Sequence, residues 1–314
     1  MSMRYQAGIV LPGYNPLKVP NAPTIGTATG VSTTSLSITF TAPSDVGGGA
    51  ITSYIAIAKR TSDGVLFTAS GASSPITVTG LTAVPFTVTV VAVNAYGPSA
   101  ASAASNSVTP ATPVPVVGSA FGGGFFAGQI STAGNSIADY NLVVGPVASA
   151  ENSSISYKNS ASSAPGADSV IDGPQNTADI VAAGNSTVYP AGHFCNDLVV
   201  GGYSDWYMPA KNELEVCYFN LKPTTSSNDT SYGINANAVP ARASNYTSGT
   251  PAQTSAAAFQ TGNAEAFTAG YYWASTEYAP SSGGAWIQIF TSGGQYYGYK
   301  SLNRRVRAIR RVAV

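Results

Sequence analysis

PFTVTVVAVNAYG, residues 85–97, decides how the first part of the chain is read. Phe86, Val88, Val90 and Ala92 fall at every second position with Thr87 and Thr89 between them. Successive side chains of a strand point to opposite faces, so this spacing predicts a strand with one buried face. The same pattern repeats on either side. SLSITF (35–40) alternates Leu36, Ile38 and Phe40 with Ser and Thr. PSDVGGGAITSYIAIAKR (43–60) is a turn followed by a strand, its glycine run supplying positions that need positive φ. PITVTGL (75–81) and NSVTP (106–110) complete the set. Short strands at regular spacing, with turn signals between them, predict an all-β antiparallel sandwich.

The order GGGAITSY (47–54), ITVTGL (76–81), FTVTVVAVNAYGPS (86–99) and SNSVTP (105–110) resembles the fibronectin type III pattern over nearly all of residues 21–110. One position departs from it. The family has a tyrosine at the place of Phe86, whose hydroxyl pins the corner between the two sheets. Phe86 fills the same volume without that bond, an expected cost of about 1 kcal/mol.

The 314 residues leave room for a second domain with its own core. Only 9% are charged, against roughly 25% in an average globular protein. Fourteen basic residues balance fourteen acidic ones, so no global field steers the chain toward nucleic acid or an acidic membrane. No stretch of about 20 apolar residues occurs, and no membrane insertion is expected. The opening MSMRYQAGIVLPGYNPLKVP (1–20) has no apolar run of signal-peptide length. Export by another route is therefore expected, and assembly into a virus particle is one. These 20 residues are too poor in apolar side chains to fold alone and read as an attachment segment. A proline-rich linker, ATPVPVVG (111–118), separates the sandwich from the domain at 119–314.

That second domain mixes strands and helices. GGGFFAGQIS (122–131) and YNLVVGPV (140–147) are β-type runs. TVYPAGHFCNDL (187–198) places Pro190 at a helix start, and the VVGG after it supplies a stop. In PAKNELEVCYFNLKP (209–223), Leu214, Cys217, Tyr218 and Leu221 fall at i, i+3, i+4 and i+7, the spacing of an amphipathic helix. Residues 224–265 lack apolar periodicity and read as an extended loop. YYWASTEY (271–278), AWIQIF (285–290), GQYYGYK (294–300) and RRVRAIRRV (304–312) are terminal strands.

GGYSDWYMPAKNELEVCYFNL (201–221), followed by YWASTEY, AWIQIF and VRAIRRV, resembles lectin-like domains of uncharacterised function in bacteria and their phages. They are similar to the formylglycine-generating-enzyme subclass of the C-type lectin fold. The resemblance covers roughly residues 170–314 and implies an α+β C-type-lectin-like fold, with terminal arginines paired to acids in the sheet. Together with a fibronectin type III-like module, it resembles phage tail and fibre proteins. It implies a virion protein whose first segment contacts other virion proteins and whose last domain meets a glycan or protein on the host surface. The alternative is a capsid or tail decoration protein without a receptor. A bacterial surface adhesin is a third reading.

Chemistry is sparse. His193, the one histidine, lies two residues before Cys195, and i, i+2 side chains on a helix point apart. Cys217 sits on the apolar stripe of its helix, the behaviour of a small hydrophobe. No HxH, CxxC or EF-hand spacing occurs, and Asp168, Asp172, Asn176 and Asp179 in GADSVIDGPQNTAD (166–179) read as turns and helix caps. No enzyme, cofactor or metal is expected. RRVRAIRRV, taken as one strand, sets Val306, Ala308, Arg310 and Val312 against Arg305, Arg307, Ile309 and Arg311, most arginines fitting an ordinary polar face. The binding candidates are the terminal aromatics Tyr278, Trp286, Tyr296, Tyr297 and Tyr299, set among Ser, Gly and Gln. Tyr296 and Tyr297 are adjacent and must point oppositely. Exposed tyrosine in such a background suits sugar stacking or protein contact. It also suits a sheet edge buried by trimerisation, a homo-oligomer.

Overall fold

The computed structural model describes residues 17–160, 162 and 166–314. Most of the attachment segment at 1–20 lies outside the described residues. The chain divides between Val114 and Pro115 into two compact units.

The first unit is an all-β fibronectin type III-like sandwich. Its strands are β1 (Thr24–Ser32), β2 (Ser35–Thr41), β3 (Ile51–Arg60), β4 (Leu66–Gly71), β5 (Ile76–Val78), β6 (Phe86–Asn94) and β7 (Gly97–Pro98). One sheet has the order β1-β2-β5 and the other β4-β3-β6-β7. The alternation read from residues 85–97 is the packing pattern. Phe86, Val88, Val90 and Ala92 are completely buried and meet Leu36, Ile38, Ala56 and Ala58 from the neighbouring strands. β1 gives no such signal, because in TIGTATGVS only Ala28 is buried. Phe86 packs edge-on against Phe67 at 5.7 Å between centroids, so an aromatic contact stands where the resemblance implied a hydroxyl bond.

NSVTP is not the closing strand expected of it. Val108 forms a single bridge to Phe86. The outer edge of β6 is taken instead by the triplet run Ser99-Ala-Ala-Ser102-Ala-Ala-Ser105. Ser99, Ser102 and Ser105 donate their N–H groups to the carbonyls of Ala92, Val90 and Val88 at 2.8–2.9 Å. Their hydroxyls accept from the N–H groups of the same three residues at 2.9–3.0 Å. Three residues thus run against two of the strand. A side-chain oxygen supplies the acceptor that a regular partner strand would have supplied from its backbone. An edge closed in this way offers no ladder to another strand.

The second unit is mixed α/β. In chain order it contains β8 (Ala120–Phe121), β9 (Gly124–Ile130), β10 (Tyr140–Val144), α1 (Val147–Ala150), β11 (Glu151–Ser156), α2 (Gly173–Ala183), α3 (Pro190–Asn196) and α4 (Lys211–Leu221). Then come β12 (Ala238–Val239), β13 (Tyr271–Glu277), β14 (Gly284–Ile289), β15 (Gln295–Tyr299), β16 (Asn303–Arg307) and β17 (Ile309–Ala313). One sheet runs β12-β9-β10-β17, with β8 beside β9, and the other runs β11-β16-β13-β14-β15. Pro190 opens α3, and Leu214, Cys217, Tyr218 and Leu221 form the buried stripe of α4. Helix α2 forms where the sequence carries only turn and cap signals. Its inward face carries Asn176 and Thr177 beside Ile180, so hydrophobic periodicity is absent.

The terminal arginines pair with acids as the resemblance implied, but the reading of one strand with an ordinary polar face requires a correction. RRVRAIRRV is two strands in two sheets, parted at Ala308, and its arginines are not a solvated face. Arg307 is 1% exposed and Arg310 7%. A guanidinium tolerates such burial only when its donors are met. Arg307 donates to the Gly145 carbonyl at 2.7 Å and to Glu265 at 2.7 Å, while Arg310 forks onto Asp205 at 2.7 and 2.8 Å.

Replacing Ser102 with alanine tests the serine edge. Val90 would keep a buried N–H with no acceptor, so Ser102→Ala is expected to destabilise the first unit by about 1–2 kcal/mol, read from chemical denaturation. Ala103→Ser, at an exposed position of the same run, serves as the neutral control.

Candidate functional site

The hairpin β14–β15 presents the aromatic residues. Pairing sets Trp286 opposite Tyr297 and Gly284 opposite Tyr299. All four therefore belong to one face, while Tyr296 falls on the other with Ile287. Tyr278, just beyond β13, folds back over the first face. Its ring lies parallel to that of Tyr297, with centroids 4.4 Å apart and 6° between planes. It meets Trp286 edge-on at 5.3 Å, and Tyr299 meets Tyr297 edge-on at 6.5 Å. Gly284 leaves room for the stack, since a Cβ there would crowd it, standing 3.2 Å from the Tyr297 ring and 3.3 Å from the Tyr278 Cβ.

Exposure separates support from surface. Tyr297 and Tyr299 are 47% and 61% exposed, whereas Tyr278 and Trp286 are half-buried. Among the described residues the hydroxyls of Tyr278, Tyr297 and Tyr299 make no hydrogen bond to the protein. The cluster thus combines flat apolar faces with free donor-acceptor groups, the chemistry that stacks on a sugar ring or a flat protein surface.

Helix α4 anchors one side of this face. Its first residue, Lys211, donates its N–H to Thr276 Oγ1 at 3.0 Å and accepts from Gln295 Nε2 at 3.1 Å. Its ammonium lies 4.0 Å from the Trp286 ring centroid, and burial lowers its pKa. The helix start is fixed by Glu213, completely buried, which accepts from the Ala210 N–H at 2.8 Å, the Tyr207 hydroxyl at 2.6 Å and Arg311 Nε at 2.8 Å. Burial pushes the Glu213 carboxyl above its usual range, and Arg311 acts against that shift.

Tyr296 belongs to a different place. Its hydroxyl donates to Asp229 at 3.0 Å and its ring meets Tyr232 edge-on at 5.2 Å. Five candidates read together from the sequence therefore divide into four and one. Lys211, Asp229 and Tyr232 were not among them. Lys211 carried no signal beyond its place at a helix start, and the other two lie in the stretch read as a featureless loop.

That loop is built around an ammonium group. Lys222 is 2% exposed and donates to the Ser226 carbonyl at 2.6 Å, Asn228 Oδ1 at 2.7 Å and the Pro251 carbonyl at 3.2 Å. Asn228 in turn donates to the Thr247 and Pro251 carbonyls at 3.0 and 2.9 Å. Buried Glu215 ties Asn235, Arg242 and Tyr246 to α4.

The remaining chemical candidates have structural tasks. The His193 ring Nε2 donates to the Gly184 carbonyl at 2.7 Å. Cys195 and Cys217 are free thiols in separate core clusters, and burial raises both thiol pKa values, which disfavours the nucleophilic thiolate. Asp172 caps α2 through the Gln175 N–H at 3.3 Å, and Asn176 donates to the Ser169 carbonyl at 2.7 Å.

The stack rests on the missing side chain at Gly284. Gly284→Val is expected to displace Tyr297 from Tyr278, changing the near-ultraviolet circular dichroism of the tyrosines while the far-ultraviolet spectrum stays the same.

Residues 21–108 match the fibronectin type III domain and residues 174–310 the Lcl C-terminal domain. No curated protein matches the chain. Among solved structures it is similar to titin kinase and its flanking domains, with 27% identity over 30% of this chain and 17% of that one, at a TM-score of 0.28. The chain thus spans about a sixth of that structure. It is similar to the FN5 domain of Drosophila Lar, with 24% identity over 30% of this chain and all of that one, at a TM-score of 0.25. A titin module from human cardiac muscle gives 26% identity over 30% of this chain and 91% of that one, at a TM-score of 0.26. The chain joins a fibronectin type III domain to an Lcl C-terminal domain, the make-up of a surface or adhesion-type protein.

Proposed function

We propose that the protein is a phage virion component, of the tail-fibre or tail-tip kind, that attaches to the host surface through the second unit. The first unit acts as a spacer, and the attachment segment at 1–20 contacts other virion proteins. The observation that carries this reading is the exposed stack of Tyr297 on Tyr278, extended by Tyr299 and backed by Trp286. Such a surface gains contact area at small entropic cost, because each ring has few rotatable bonds and the stack already restricts them. An exposed aromatic cluster is also where interface energy concentrates. The low charge of the chain suits recognition by stacking and neutral hydrogen bonds.

Binding of the full-length protein to bacterial cells and to arrayed glycans tests the proposal. Tyr297→Ala is expected to weaken binding about tenfold or more, equivalent to ~1.4 kcal/mol. Tyr296→Ala, on the opposite face of the hairpin, is expected to leave it within about twofold. Equal loss from both substitutions, or from neither, would remove the aromatic face from the attachment role. A protein that covers the particle as a lattice and binds no cell would instead be the decoration protein.

A further inference from the structure

We infer that strand β15 is a self-association edge, pairing antiparallel with β15 of a second copy of this chain about a twofold axis at Tyr297. β15 ends its sheet. The pairs that bracket the hairpin fix which of its backbone groups point outward. Ile289 N–H donates to the Gly294 carbonyl and Lys300 N–H to the Gly283 carbonyl, each at 2.9 Å. Antiparallel ladders alternate bonded and non-bonded pairs, and this register is unbroken between those two bonds. Tyr296 and Gly298 therefore bond inward to β14, while Tyr297 and Tyr299 turn their backbone groups outward. The Tyr299 carbonyl is taken by the Leu302 N–H at 3.0 Å. Among the described residues, both backbone groups of Tyr297 and the N–H of Tyr299 have no partner.

Edges of this kind are ordinarily blunted by charge, proline, bulges or cover. β15 has none of the first three. QYYGY carries no charge, and the adjoining Lys300 is completely buried on Glu277 at 2.6 Å. The opposite end of the same sheet does have a device, since β11 breaks register between Asn152 and Ile155. The outer edge of β6 has another in its serine triplets.

The side chains say which partner fits. A twofold contact sets every residue against its own kind or its mirror position, so a charged edge would repel itself and this one does not. Centred on Tyr297, the pairing sets Tyr297 against Tyr297 of the other copy, Tyr296 against Gly298, and Gln295 against Tyr299. The first is a favourable aromatic cross-strand pair. The second opposes a large ring with a residue that has no side chain, its face already covered by Trp273, so no two bulky groups compete for one place. A shift by one residue would bring Tyr296 against Tyr297, side chains of opposite faces, and lose both matches. The contact is small, so the expected state is a concentration-dependent dimer in which two aromatic clusters become one strip. This association stands apart from the adhesion reading, and it is measured with no receptor present.

Sedimentation velocity on the full-length protein, from micromolar to submillimolar concentration, is expected to show a monomer–dimer equilibrium. Tyr297→Lys is expected to weaken it at least about tenfold by opposing two like charges. Register is tested by oxidation. In the proposed pair the two Tyr297 Cα atoms stand ~5.5 Å apart, within disulfide reach, and the two Tyr299 Cα atoms about 14 Å apart. Tyr297→Cys should therefore form a covalent dimer and Tyr299→Cys should not, the native thiols being buried. A wild-type chain that stays monomeric throughout overturns the inference. So does cross-linking from both variants alike, or from Tyr299→Cys alone.

Discussion

The buried carboxylate of Glu213 is the constraint on which the second unit turns. A charge in the interior needs every lone pair met, and the partners here come from three directions. The Ala210 N–H fixes the first turn of α4, Tyr207 holds the segment that precedes it, and Arg311 reaches from the last strand. The start of the helix and the end of the chain are thereby held against each other, 98 residues apart in sequence. Lys211 lies two residues before Glu213, and its place over Trp286 follows from that anchor. Removing the carboxylate would leave Arg311 and Tyr207 short of a partner at once, so the loss would exceed one hydrogen bond.

The same logic runs through the unit. With only 28 ionisable acids and bases of the Asp, Glu, Lys and Arg types, the chain spends many of them inside. Glu213, Glu215, Lys222, Lys300, Arg307 and Arg310 are all buried and bonded. Charge here specifies which segments meet. Much of the remaining surface is Ser, Thr, Asn and tyrosine.

The fold was legible where burial follows a period. Residues 85–97 and the Leu214, Cys217, Tyr218, Leu221 stripe present one apolar face each, and each became the packing face expected of it. It was illegible where polar groups do the packing. Asn176 and Thr177 bury the inward side of α2, the serine triplets replace a strand, and Lys222 gathers a loop that has no periodicity to read. The terminal arginines misled for a related reason. A charged residue is taken as exposed unless its partner is visible, and Glu265 and Asp205 are distant in sequence from Arg307 and Arg310. At the aromatic face the alternation of Tyr296 and Tyr297 was plain, but the glycine beside the stack and the partners of Tyr296, Asp229 and Tyr232, were not.

The ammonium of Lys222 has a consequence for where such a loop can work. Loops of this length are often gathered by a dissolved ion, whose occupancy follows its concentration outside. Here the cation is tethered to α4 by its own side chain and surrounded by carbonyl oxygens. Dilution and chelators have no hold on it. The segments around Ser226, Asn228 and Pro251 are therefore gathered by a cation that the chain itself supplies.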